Sequence, residues 1–181
     1  VRVQAAWMNA QTSQMEHLPM LEHANLPQML VEALLRNPKG RLLDGVDDST
    51  LEYRDILSAA VMATSVLEKH SANSRMGIIL PPGKLGTIAN LACLLAGISE
   101  VNINYTSTPE QFEHMVQQAG LTRFITDTRF TNMQRQFSWP PSRDLIYLDT
   151  ELAEQGPWKL KAWNTIAKLR TPQQLMQHAG V

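Results

Sequence analysis

With 181 residues the chain has the length of one domain, or of one domain with a tail. Apolar residues make up 44% and charged residues 18%, which supports a buried core and excludes a chain disordered throughout. The formal net charge of −1 supplies no global field for nucleic acid, so no nucleic-acid partner is expected and any charge-based function is local.

Residues 1–24 hold three Met, three Gln and two His without a clear period and read as a weakly structured N-terminal arm. At Asn25 the pattern changes. Asn25 can cap a helix, Pro27 suits its first turn, and Met29, Leu30, Ala33 and Leu34 follow at helical spacing. This helix is expected to stop before Pro38, with Gly40 beyond it. Arg41–Asp44 and Thr50–Tyr53 flank a Gly/Asp/Ser cluster and read as a β-hairpin. A helix follows from about Tyr53 to His70, with Ile56, Ala60, Met62, Ala63, Val66 and Leu67 as its apolar stripe.

The chain then alternates. Met76–Leu80 is a buried strand stopped by Pro81, Pro82 and Gly83. A long apolar helix runs from about Lys84 to Ala96, with Gly97 as its C-terminal cap. Val101–Asn104 is a second strand. Thr108, Pro109, Glu110 and Gln111 open another helix that Gly120 ends. Arg123–Thr126 is a third strand. Leu145–Leu148 is a fourth, after a loop carrying Trp139, Pro140 and Pro141. Strands alternating with helices predict an α/β fold, a mainly parallel sheet with flanking helices, spanning 25–150. Residues 151–181 are expected to form a helical tail.

Candidate chemistry is sparse. Gly77 to Lys84 lies between a strand and a helix like a phosphate loop. However, its glycines stand one residue too far apart, Leu85 replaces the Mg²⁺-binding hydroxyl, and two prolines remove N–H donors. Gly83-Lys84-Leu85-Gly86 also lacks the order of a dinucleotide fingerprint. His17, His23, His70, His114 and His178 are scattered, and with one cysteine no zinc set is evident. A glycerolipid acyltransferase box needs His-x-x-x-x-Asp; His17 has Glu22 at that spacing, and no His has an Asp there. No G-x-S-x-G elbow is present.

The lone Cys93 sits in an apolar run and reads as buried, consistent with a reducing, cytoplasmic setting. No apolar run approaches the roughly 18 residues of a membrane span. The start, Val1-Arg2-Val3, carries no signal-peptide pattern, and the chain is expected to be an internal fragment of a longer protein. In 158–170, Leu160, Trp163, Ile166 or Ala167, and Leu169 share a helical face bordered by Lys159, Lys161, Lys168 and Arg170. Such a helix either docks on the protein or contacts an anionic membrane surface, and the latter gives the alternative reading of a non-enzymatic α/β interaction domain with a membrane-surface helical tail. The site residues read from the sequence are therefore none: no catalytic, cofactor-binding or metal-binding residue.

The order of segments resembles the N-terminal part of adenylate-forming enzymes: acyl-CoA synthetases, luciferases and peptide-synthetase adenylation domains. Thr50-Leu51-Glu52-Tyr53-Arg54-Asp55-Ile56 is similar to their T-Y-x-E-L hairpin-to-helix start, and Met76–Pro82 to their R-V-A-I-L-L-P-N strand. Ile88–Gly97 resembles the A-x-L-A-x-L-x-A-G helix. Val101–Tyr105 with Thr108-Pro109-Glu110 resembles V-x-V-P-L-N-P-x-x-T-P-E-E, and Phe124–Asp127 the V-L-I-T-D strand.

The resemblance covers about 26–130, and it rests on the order and spacing of five segments, none of them specific alone. Ile98-Ser99-Glu100 departs from the usual small and apolar linker. Leu80–Gly83, Ala89–Leu91, Val101–Asn104, the Trp139-Pro140-Pro141 loop and the basic tail are similar to one branch. That branch is the acyl-[acyl-carrier-protein] synthetase half of fusions that acylate 2-acylglycerophosphoethanolamine.

The resemblance implies a parent that uses ATP and Mg²⁺ to turn a fatty acid into acyl-AMP and then an acyl thioester on acyl carrier protein or coenzyme A. The parent is implied to be cytoplasmic, with contact at the inner face of the membrane. The family's phosphate loop, ribose-binding Asp and catalytic Lys match no residue up to Val181, so this chain alone is expected to be inactive.

Overall fold

The computed structural model describes residues 25–45, 47–70 and 74–156. The expected arm at 1–24 and the basic segment at 158–170 lie outside the described residues.

Helix α1, Leu26–Arg36, begins where the Asn25 side chain accepts the Gln28 N–H at 3.0 Å, with Pro27 in the first turn. Strands β1, Arg41–Leu43, and β2, Thr50–Glu52, pair antiparallel with Leu42 opposite Leu51. The chain passes directly from β2 into α2, Tyr53–His70. Helix α2 packs on α3, Lys84–Leu95, and its Ala59, Ala60 and Ala63 share one buried core with Ala89 and Ala92 of α3. Small side chains let the two backbones approach closely, and long ones fill the flanks. The buried hydroxyls of α2 bond back to its own carbonyls: Ser58 to Arg54 at 2.8 Å and Thr64 to Val61 at 2.7 Å.

The sheet has four parallel strands: β3, Arg75–Ile78; β4, Ser99–Asn102; β5, Phe124–Thr126; and β6, Leu145–Tyr147. Their spatial order is β4-β3-β5-β6. This is the mainly parallel α/β architecture that the alternating pattern predicts. Successive residues of β3 and its extension face opposite layers. Met76, Ile78 and Leu80 join α1, α2 and α3 in one core, whereas Ile79 joins Phe112, Leu121 and Phe124 in the other.

The second core lies under α4, Pro109–Ala119. Its ends follow local chemistry. Thr108 and Gln111 form a reciprocal capping box, and Gly120 takes the left-handed conformation at φ 63°. Gly97, at φ 64°, likewise ends α3. The Trp139-Pro140-Pro141 loop closes this layer. The Trp139 ring meets Phe137 edge-on at 4.9 Å, and its Nε1–H reaches the Gln134 carbonyl at 2.9 Å.

Several boundaries differ from the expected ones; β3, for instance, is Arg75–Ile78 and not Met76–Leu80. Strand β4 starts at Ser99, two residues earlier, because the Ser99 N–H bonds the Ser74 carbonyl at 2.8 Å and Ile98 is buried. A short helix α5, Thr128–Met133, follows β5 with Asp127 as its cap. Helix α6, Leu148–Glu154, starts directly after β6 and spans the point where the tail is expected to begin, with Leu148 fully buried. Among the described residues no helix is long and apolar enough to cross a membrane.

Candidate functional site

Strand β3 leads through α3 to β4 on one side, while β5 and β6 lie on the other. The carboxyl ends of β3 and β5 therefore flank a topological switch point, the place where open α/β sheets hold ligands. A crevice of about 260 Å³ opens there. Pro81, Pro82 and Gly83 line it after β3, Asp127 after β5, Arg129 from α5, and Asp44 and Asp47 from the hairpin turn.

The helix ends at this crevice are met by the chain's own carboxylates. Asp44, 8% exposed, accepts the Lys84 N–H at 3.0 Å at the start of α3. Asp127 accepts the Phe130 N–H, and Asp149 accepts the Thr128 N–H at 3.2 Å. Lys84 is engaged as well. Its Nζ lies 3.3 Å from Asp47 Oδ2 and bonds the Ser49 hydroxyl. Hydrogen bonds from the Ser49 hydroxyl and N–H, with Lys84 assisting, hold the Asp47 carboxyl down at about 2. Burial, with Asp149 nearby, raises the Asp127 carboxyl from its ordinary value.

The strand-turn-helix from Gly77 to Lys84 thus differs from a phosphate loop in its contacts as well as its spacing. Gly77 lies within β3, paired with Val101 and Phe124, and takes no part in the turn. Gly86 permits a close crossing: a Cβ there would lie 2.9 Å from the Pro81 carbonyl oxygen. ATP, the nucleotide implied by the resemblance, does not fit the residues of this crevice. Three carboxylates, Asp44, Asp47 and Asp127, stand there against one cation, Arg129, prolines replace two donors, and the Lys84 N–H is taken.

The other candidates do not converge. His70 Nε2 lies 3.5 Å from Glu151 Oε1, tying α2 to α6, and His114 is exposed on α4. His17, His23 and His178 lie outside the described residues. Cys93 is fully buried in α3, and burial pushes its thiol up to about 12. Among the described residues no cluster of three metal-ligating side chains occurs.

A larger feature escaped the sequence reading. A groove of about 1070 Å³ runs between α1, α3 and the end of β4. Its walls include Leu30, Leu34, Leu80, Leu91, Leu94 and Ile103. Asn90 and Asn102 exchange amide hydrogen bonds of 2.8 and 3.2 Å along it. Helix α1 leaves Leu26 57%, Met29 43% and Leu30 38% exposed. Periodicity identifies such residues as apolar but not which of them the fold leaves uncovered.

No family model matches the chain, and no curated protein matches it. Many solved structures do. A nonribosomal peptide synthetase, FmoA3, bound to alpha-methyl-L-serine-AMP, is 19% identical over 71% of this chain and 14% of its own, with a TM-score of 0.59. O-succinylbenzoate coenzyme A synthetase (MenE) from Bacillus subtilis is 19% identical over 70% of this chain and 26% of its own, with a TM-score of 0.56. The N-terminal subdomain of NpsA from Klebsiella oxytoca is 18% identical over 70% of this chain and 32% of its own, with a TM-score of 0.58. The chain thus spans from 14% to 32% of the length of these structures. At such identities the likeness is one of fold: the described residues have the α/β fold of the N-terminal subdomain of adenylate-forming enzymes.

Proposed function

We propose that this chain is the N-terminal α/β part of an ATP-dependent acyl-activating ligase, which joins a carboxylic acid to AMP and passes the acyl group to a thiol. The observation that carries this reading is the fold: a β-hairpin running into α2, then four parallel strands in the order β4-β3-β5-β6, which superposes on a nonribosomal peptide synthetase and a coenzyme A synthetase with TM-scores of 0.59 and 0.56. Within that reading the acid is a fatty acid and the acceptor is acyl carrier protein or coenzyme A. The parent is the synthetase half of a lysophospholipid acyltransferase fusion working at the inner face of the membrane. These finer statements rest on the segment wording of Leu80–Gly83, Ala89–Leu91 and Val101–Asn104.

The role of this part is architectural. ATP and Mg²⁺ would be held by polypeptide other than the described residues, since the family's phosphate loop, ribose-binding Asp and catalytic Lys match none of them. The groove beside α1 supports the same division of labour. Exposed Leu26, Met29 and Leu30 border an apolar trough, a surface that the remaining polypeptide of the parent would cover.

The test is the substrate profile of the complete gene product. With ATP, hydroxylamine trapping should yield acyl hydroxamates from long-chain fatty acids and not from amino acids or aryl acids. Thioester formation on acyl carrier protein against coenzyme A then identifies the acceptor. Hydroxamates from amino or aryl acids alone would keep the ligase reading and overturn the fatty-acid reading. No hydroxamate from any acid would overturn both.

A further inference from the structure

The structure assigns the anion position at the start of α3 to the chain's own Asp44: we infer that this carboxylate is a built-in occupant that bars a phosphate group from that helix end. A helix N-terminus that follows a parallel strand is a general anion site, because its first N–H groups lack partners within the helix and the helix dipole favours negative charge. Helix α3 has this setting: β3 enters it, twelve residues follow, and the crevice opens in front of it.

The Asp44 carboxylate already fills the position. Asp44 Oδ2 takes the Lys84 N–H at 3.0 Å, while the Asp44 side chain is more than nine-tenths buried. A Cβ on Gly83 would lie 2.8 Å from Asp44 Oδ2 and 2.9 Å from Oδ1, so the carboxylate occupies the space over the turn. The Asp44 backbone is itself anchored: its N–H bonds the Ser49 carbonyl at 2.9 Å, and its carbonyl takes the Asp48 N–H at 3.0 Å. Lys84, the cation that would otherwise answer a phosphate, is drawn to Asp47 at 3.3 Å and to Ser49. The hairpin turn supplies both the anion for the helix end and the partner for the lysine. This inference stands on the geometry alone and does not require the ligase reading.

The experiment uses the 181-residue protein and two probes, inorganic phosphate and ATP. In the wild-type protein the Lys84 amide resonance should not move on addition of either. Asp44→Ala removes the occupant and frees the N–H. Its melting temperature should rise roughly 3–6 °C beyond the wild-type response at phosphate about tenfold above its Kd. Subtracting the wild-type response removes the general stabilisation by excluded phosphate. Asp44→Asn keeps a neutral acceptor in place and should respond as the wild type does. Movement of the wild-type Lys84 amide with phosphate or ATP overturns the inference, and so does a folded Asp44→Ala protein without an added response. Should Asp44→Ala fail to fold, the wild-type amide decides.

Discussion

The Phe124 ring stands where a side chain on Gly77 would begin. A Cβ on Gly77 would lie 2.5 Å from Phe124 Cδ1 and 3.3 Å from Leu121 Cδ1. Gly77 and Phe124 are also register partners in β3 and β5. The glycine thus serves the second core, not a phosphate. Gly77→Ala should destabilise the protein by about 1–3 kcal/mol through overpacking. In urea unfolding, Phe124→Leu should make that loss smaller, giving a non-additive double-mutant cycle. An additive cycle would show that the two side chains do not compete for the space.

The α4 capping box gives a second check. Thr108 accepts the Gln111 N–H at 3.3 Å, and Gln111 Oε1 accepts the Thr108 N–H at 3.1 Å. Thr108→Ala should cost about 1 kcal/mol. Gln111→Ala should cost less, since it leaves the Thr108 cap in place. Equal and negligible losses would contradict the cap assignment.

Cys93 should be chemically silent in the folded protein. Its thiol is buried and pushed up to about 12, by burial foremost and by Glu100, so almost no thiolate exists near neutral pH. Labelling with a thiol-specific disulfide reagent at pH 8 should proceed only at the rate of unfolding. Rapid labelling of the native protein would place Cys93 at the surface.

Two carboxyls should pull stability in opposite directions with pH. Asp47, held at about 2, favours the fold above its unfolded value near ~3.9, and that contribution is lost as pH falls through about 2. Asp127 is raised by burial, so its ionised form disfavours the fold at neutral pH, and the penalty disappears as the group protonates. Asp127→Asn keeps an acceptor for the Phe130 N–H and removes the charge. This variant should be at least as stable as the wild type at pH 7, with the advantage vanishing below pH ~3.9. A lower stability at pH 7 would show that the charge contributes more as a cap than burial costs it.

The sequence made legible whatever is settled within a turn or two of chain. Asn25 with Pro27, Thr108 with Pro109 and Gln111, and Gly97 and Gly120 fix helix ends locally, and those ends fall where the residues predict. The buried strands at Met76 and Phe124 were legible from apolar runs bounded by turn residues. Relationships across the fold were not. Asp44 reaches α3 forty residues away, and nothing in its neighbourhood marks it as a cap. The early start of β4 depends on Ser74 lying beside Ser99. Helix α5 is only six residues, TRFTNM, too short for a period, although Asp127 before Thr128 was a usable cap signal. The groove beside α1 follows from tertiary packing that leaves Leu26 and Leu30 uncovered, which periodicity does not encode.

The most direct test is carboxylate-dependent exchange of pyrophosphate into ATP. It should be measured side by side for the complete gene product and for residues 1–181 alone. The complete product should catalyse exchange that depends on a fatty acid, and residues 1–181 should catalyse none. Exchange by residues 1–181 alone, or its absence from the complete product with every acid, would contradict an N-terminal, architectural part of an adenylate-forming ligase.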